Sequence, residues 1–286
     1  MTPVVLGLIA LAAFVHAAWN LAIKKAGATG AMFLWLSFLV GAVVYLPFGI
    51  ASILESGADL WHWLGFASVS GALQVIYFLM LQTGYRVGDV SVVYPLARGT
   101  GPLLSVVFAM LLFAERPSAL ALVGAAVVIA GVVTIGLAGG RSRMAGNRAG
   151  VLFGLATGVI IAVYTLWDSA AVTVGGMPVV GVYWGSVVFQ FLLMAPLGLR
   201  ERGRLREVAT RQWGLVLTVG VLAPLGYILI LLAIQMAPVS LVAPAREVSV
   251  VLVGLAGWLF FREPHPVQRL IGAAVVLAGV AMLAGG

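Results

Sequence analysis

The stretch Leu122-Val123-Gly124-Ala125-Ala126-Val127-Val128-Ile129-Ala130-Gly131 returns as Leu270-Ile271-Gly272-Ala273-Ala274-Val275-Val276-Leu277-Ala278-Gly279, offset by 148 positions. Upstream of the copies stand Glu115-Arg116-Pro117 and Glu263-Pro264, and each Glu follows an arginine, Arg98 or Arg246, at the same distance. Further back, Val92-Val93-Tyr94-Pro95-Leu96-Ala97-Arg98 is answered by Leu241-Val242-Ala243-Pro244-Ala245-Arg246. A repeat of this length occupies half the chain, so internal duplication is the first conclusion.

Composition sets the medium. Hydrophobic residues make up 63% of the 286 and charged ones only 9%, against about a quarter charged in soluble domains. Most of the surface must therefore face lipid or other helices, and the chain reads as an all-α integral membrane protein. With no cysteine, disulfides and thiolate metal sites are excluded. The net charge of +7 arises from arginines in short loops between apolar runs, where membrane topology explains them better than nucleic-acid binding does. The opening Met1-Thr2-Pro3-Val4-Val5 has no basic n-region, so no cleaved signal peptide is expected.

A bilayer core takes about 20 apolar residues per helix. By that measure ten spans fit, at 3–23, 31–53, 62–84, 90–113, 118–138, 150–171, 179–199, 213–236, 239–261 and 268–284. Gly and Pro punctuate the boundaries, at Gly27, Gly57, Gly88, Pro117, Gly139-Gly140, Gly175-Gly176-Met177-Pro178 and Pro238. The expected organisation is a five-helix repeat over 1–140, a basic linker at 141–149 and a second five-helix repeat over 150–286. Five spans per half is odd, so the second half enters from the opposite side and the repeats are inverted, an arrangement recurrent in secondary transporters with midplane sites.

Basic residues set orientation. Loops after the odd-numbered spans hold Lys24, Lys25, Arg86, Arg141, Arg143, Arg148, Arg200, Arg202, Arg204, Arg206, Arg211, Arg262 and Arg269, whereas the opposite side holds Arg116 beside Glu115. The positive-inside rule places the odd loops in the cytoplasm and both termini outside.

Polar and ionisable groups at membrane depth are expensive and mark functional candidates: His16, Asn20, Gln74, Arg98, Asp168, Gln190, Arg246 and Glu247. His16, Trp19, Asn20 and Ile23 share one helix face. The repeat offset puts Tyr164, Trp167 and Asp168 on the equivalent face of span six. A shared central cavity is expected there, the alternatives being interhelical contacts or interfacial aromatic anchors. Gln74, Tyr77, Leu81 and Tyr85 recur at helical spacing in span three, and Tyr94 precedes Pro95. Pro95 and Pro244 each free a backbone carbonyl, so bends facing the cavity are expected. Arg98 and Arg246 could hold a substrate carboxylate, be neutralised by Asp168 or Glu247, or snorkel to a membrane face. Arg246 and Glu247, being adjacent, would point about 100° apart on a helix and pair poorly with each other. Glu115 and Glu263 read as caps of their connecting turns. With His16, His62 and His265 scattered, no metal site, cofactor site or catalytic constellation is expected.

Trp19-Asn20 with Lys24-Lys25 closing span one, the Pro95 and Pro244 segments, and the Glu115-Arg116-Pro117 turn leading to GAAVVxAGV together resemble the EamA-type exporters of the drug/metabolite transporter superfamily. The resemblance covers essentially the whole chain. It implies a ten-helix bacterial inner-membrane permease that moves small metabolites, among them amino acids, out of the cell, with aromatic amino-acid exporters similar in style. Termini drawn inside, as is usual for that family, disagree with the charge asymmetry read above. Four-helix multidrug relatives carry an embedded acidic residue about where His16 stands, and its absence weighs against cation substrates and that proton coupling here.

The sequence thus predicts a monomeric multi-pass exporter, not an enzyme, working by alternating access on a small-molecule substrate such as an aromatic or other neutral amino acid. The expected substrate contacts are His16, Trp19, Asn20, Gln74, Tyr77, Tyr94, Arg98, Tyr164, Trp167, Asp168, Arg246 and Glu247. The alternative is a multidrug exporter of lipophilic cations with Asp168 as its acidic group.

Overall fold

The computed structural model describes residues 1–26, 30–136, 148–261 and 266–286. Gly27, Gly139, Gly140, Arg141, Arg143, Arg262, Glu263, Pro264 and His265, used in the sequence reading, lie outside them. All regular structure in the described residues is helical: α1 (Pro3–Ala26), α2 (Ala31–Val44), α3 (Leu46–Ser56), α4 (Leu60–Val87), α5 (Val90–Leu112), α6 (Ala119–Gly136), α7 (Arg148–Thr173), α8 (Val179–Arg200), α9 (Leu205–Arg211), α10 (Trp213–Met236), α11 (Val239–Ala245), α12 (Val248–Phe261) and α13 (Pro266–Gly285). Helices satisfy their own backbone polar groups, the condition for crossing lipid. The outward faces carry Phe14, Phe48, Leu54 and Leu111, all more than half exposed, as suits a lipid boundary.

Eight described helical segments are long and apolar enough to cross a membrane, and nine if the bent pair α2/α3 counts as one span. Ala119–Ile135 is apolar but shorter, which is where the count departs from the ten expected. Two expected spans are not single uninterrupted helices. The second breaks at Tyr45, where Pro47 opens α3 and the axes turn by 51°. The ninth breaks at Arg246-Glu247, which form a turn between α11 and α12. Arg148 and Ala149 open α7 and do not belong to the linker.

Ends are set by local chemistry. The Asp59 side chain accepts the His62 amide at 2.9 Å and caps α4, and that hydrogen bond holds its carboxyl below the usual range. Gly57, at φ 61°, ends α3 in the left-handed region that favours glycine. Glu115 caps a helix other than its own: its carboxylate oxygens accept the Val239 and Ser240 amides at 2.8 Å each, closing the N-terminus of α11. This corrects the reading of Glu115 as a cap of its own turn.

The helices assemble by pairs. α6 lies on α13, α5 on α7, α1 on α10, α2 on α8, α4 on both α7 and α8, and α12 on α1. The repeated decapeptide explains the first pair. A Cβ on Gly124 would meet the Gly279 carbonyl at 2.8 Å, and one on Gly131 the Gly272 carbonyl at 2.9 Å. Only glycines allow the two backbones to approach this closely. Since 124 meets 279 and 131 meets 272, the two helices run antiparallel. The Met1 amine donates to the Ala284 carbonyl at 2.9 Å, so the described termini meet at one end of the bundle. At the other end, Gln212 Nε2 donates to the Ala26 carbonyl and the Met32 amide to Glu201 Oε2.

Candidate functional site

A cavity of about 360 Å³ opens among α1, α2, α4, α5, α7, α8, α10 and the α11/α12 break. At one end it is lined by Ile23, Leu34, Leu81, Gln82 and Tyr85, in the turns of α1, α2 and α4 nearest Lys25 and Arg86. From there it runs inward to Gly226, Tyr227, Arg246 and Ser249. Aromatic side chains outside the lining pack between α4 and α8. Trp63 Nε1 donates to the Gly181 carbonyl at 3.0 Å and its ring stacks on Trp184.

Nine of the twelve expected contacts line this cavity: His16, Trp19, Asn20, Gln74, Tyr77, Tyr94, Arg98, Tyr164 and Arg246. They converge because α1 turns its His16 face towards α4 and α5, as the helical spacing requires. The His16 and Trp19 rings meet edge to face at 4.7 Å, and the Asn20 amide donates back to the His16 carbonyl at 2.7 Å. Tyr77, Tyr164, Tyr227 and Tyr183 form a ring ladder, with centroids 5.7, 5.9 and 4.7 Å apart.

The other three stand outside the lining. Trp167 turns away, lies tilted against the Phe66 ring and donates Nε1 to the Phe66 carbonyl at 3.1 Å. Asp168 lies behind the wall, accepting from the Tyr227 hydroxyl at 2.8 Å and Gln74 Nε2 at 3.4 Å. Glu247 is 0% exposed and sits beneath the two arginines. Pro95 and Pro244 are likewise buried and outside the lining, because α5 continues through Pro95 and α11 packs Pro244 inward. Neither proline itself faces the cavity, contrary to the expectation.

Electrostatics centre on Glu247. Its Oε2 lies 3.1 Å from Arg98 Nε and its Oε1 3.5 Å from Arg246 Nε. These are ion pairs without aligned hydrogen bonds, since the same Nε and carboxylate atoms have no hydrogen-bond partner. Glu247 thus pairs most closely across helices, with Arg98, while its contact with the neighbouring Arg246, in the turn between α11 and α12, is longer. Arg98 is otherwise engaged, with its NH2 nitrogen 3.4 Å from His16 Nε2 and 3.3 Å from the Ser249 hydroxyl, and its guanidinium 5.9 Å from the Tyr94 ring. Arginine can only donate, so His16 Nε2 accepts and a neutral ring carries its proton on Nδ1. Arg246 donates NH1 to Thr165 at 3.3 Å, and its buried NH2 has no partner.

Behind the wall, Gln74 Oε1 accepts from the Tyr183 hydroxyl and Gln190 Nε2, and the Ser70 hydroxyl donates to that of Ser186. This network carries Asp168. Among the described residues no ion pair forms on Asp168, and no acid and histidine cluster could hold a metal ion.

The profile of the EamA-like transporter family matches residues 4–137 and again 148–285. The chain belongs to the EamA-like transporter family. It is thus a multi-pass membrane protein, and the paired match follows the decapeptide duplication. A curated relative, the pseudopaline exporter CntI of Pseudomonas aeruginosa, is 31% identical over 101 residues, which cover 34% of this chain and 36% of the relative. The match thus spans about a third of that relative's length. A protein of known crystal structure superposes over 99% of this chain and 96% of its own with a TM-score of 0.76 at 20% identity, a likeness of fold.

The cavity also holds residues that sequence reasoning missed, namely Phe38, Phe78, Tyr183, Tyr227 and Ser249. Tyr227 was detectable in principle. It matches Tyr77 at an offset of 150 rather than 148, so a fixed offset passes over it.

Proposed function

We propose that this protein is a secondary exporter of amino acids or similar small metabolites, operating by alternating access between two inverted five-helix halves in a bacterial inner membrane. The observation that carries the reading is the central cavity, lined by aromatic and polar side chains from both halves of the chain. Its size suits a small molecule, since ligand pockets run from about 300 Å³ upward. Aromatic rings offer surface to an apolar body, and Asn20, Gln74 and the arginines offer polar partners.

The pairings support inversion. Exchanging the halves turns α1 on α10 into α7 on α4, turns α5 on α7 into the α11/α12 unit on α1, and leaves α6 on α13 and α2 on α8 unchanged; each of these packings is present. An antiparallel Gly124·Gly279 and Gly131·Gly272 crossing is what a two-fold axis in the membrane plane produces. On this reading the ten-span plan includes α6 as a short span.

Lipophilic cations fit less well. The ionised side chains lining the cavity are arginines, while Asp168 and Glu247 stand behind it, already engaged. The test is counterflow in proteoliposomes, with a panel of labelled amino acids and other small metabolites beside tetraphenylphosphonium. Exchange of one or more metabolites is expected. Exchange of the cation alone would contradict the proposal.

A further inference from the structure

We propose that Arg246 anchors a carboxylate of the transported molecule, so that substrates are organic acids or zwitterions with a free carboxylate. This rests on the cavity being the transport site. The argument begins with charge. Arg98 and Arg246 are repeat mates, but the mate of Glu247 is Gly99, so one carboxylate serves two guanidinium groups. Asp168 forms no ion pair with either arginine among the described residues, its Oδ2 accepting from Tyr227 and Gln74 on the other side of the wall. His16, next to Arg98, is an acceptor through Nε2 and brings no negative charge.

One guanidinium charge therefore lacks a carboxylate of its own within contact distance inside the membrane, where such charges are costly unless paired. It resides on Arg246. Glu247 lies closer to Arg98, at 3.1 Å against 3.5 Å, and Arg98 has His16 and Ser249 besides. Arg246 is 9% exposed, lines the cavity, and leaves NH2 unpartnered with Thr165 as the sole hydrogen-bond partner of its side chain in the described residues. A planar guanidinium edge with a free donor is matched by a carboxylate. Tyr164 and Tyr227, also in the wall, face the same space and provide surface for the organic body.

The test uses isothermal titration of the purified full-length protein in lipid nanodiscs. The probes are L-phenylalanine, L-leucine, phenylacetate and succinate, each beside its amide, with inorganic phosphate alongside. At least one acid should bind, with its amide tenfold weaker or more, about the effect of 1.4 kcal/mol. Arg246→Gln should bring the acid down to the level of its amide and leave amide binding unchanged. Arg246→Lys, which keeps the charge but loses the fork, should fall between, and it serves with the wild-type pairs should the Gln variant not fold. Equal binding of acid and amide to wild type overturns the carboxylate anchor while the metabolite cavity stands. Binding of phosphate alone also overturns it. No binding by any acid or amide overturns the metabolite cavity, and the anchor with it.

Discussion

Glu247 is the fully buried carboxylate on which two arginines depend. Glu247→Gln leaves both guanidinium groups without a counter-charge, and breaking a buried pair costs about 3–5 kcal/mol. Thermal unfolding of the purified variant should show a large fall, whereas Asp168→Asn, which keeps an oxygen for Tyr227, should show a small one. Equal losses would mean that the pair does not hold the helix break together. Tyr164 illustrates a limit of the sequence reading. As a water-facing wall residue it should tolerate Ala with little loss of folded protein. Its ring, however, is 9% exposed and wedged between Tyr77 and Tyr227. Tyr164→Ala should therefore lower stability by about 3 kcal/mol, the lower figure for truncating a buried aromatic ring, and unchanged melting would contradict this. His16, Asn20 and Arg98 were legible because polarity at membrane depth is costly. Trp167 and Asp168, mates of Trp19 and Asn20, were misplaced because Phe66, Gln74 and Tyr227 cover that face of α7, and periodicity does not say which side of a duplicated bundle is covered.

The antiparallel α6 and α13 pair was written in the decapeptide, though its meaning is visible only in contact. Gly131→Val puts a side chain against the Gly272 carbonyl and the Val276 amide, at 2.9 and 2.8 Å. Overpacking typically costs about 1–3 kcal/mol, and backbone neighbours cannot move aside as a flexible side chain can. Folded yield on size exclusion should collapse. Gly7→Ala, with open space around it, should leave yield at the wild-type level. Glu115→Ala removes the acceptor for two amides of α11 and should cost about 1–2 kcal/mol, as loss of an N-terminal cap does; an unchanged melting temperature would refute the capping role. The α11/α12 break was hidden by a single residue. Pro95 to Arg98 spans one position more than Pro244 to Arg246. A deletion that small leaves the apolar run intact while shifting the register just before the turn.

For the bundle as a whole, duplication and an all-helical membrane fold were legible from composition and repeat. The central cavity was legible only in part, because periodicity does not say which helix faces meet. The one-sided arginines predict that a reporter fused after Gly286 faces the periplasm: a C-terminal alkaline phosphatase fusion should be active, and a fluorescent cytoplasmic fusion would reverse the orientation. Alternating access requires that the halves exchange roles during transport. Ile23 lines the cavity, while its repeat mate Ala171 is 1% exposed and outside the lining. The chain has no cysteine, so Ile23→Cys and Ala171→Cys each provide one thiol for a membrane-impermeant reagent. Without substrate, the thiol at position 23 should react from the arginine-rich side and that at 171 stay silent. During exchange of the metabolite found by counterflow, the thiol at 171 should become reactive from the opposite side as labelling at 23 falls. Sustained transport with position 171 unreactive throughout, or with both positions labelled from one side, would contradict the account.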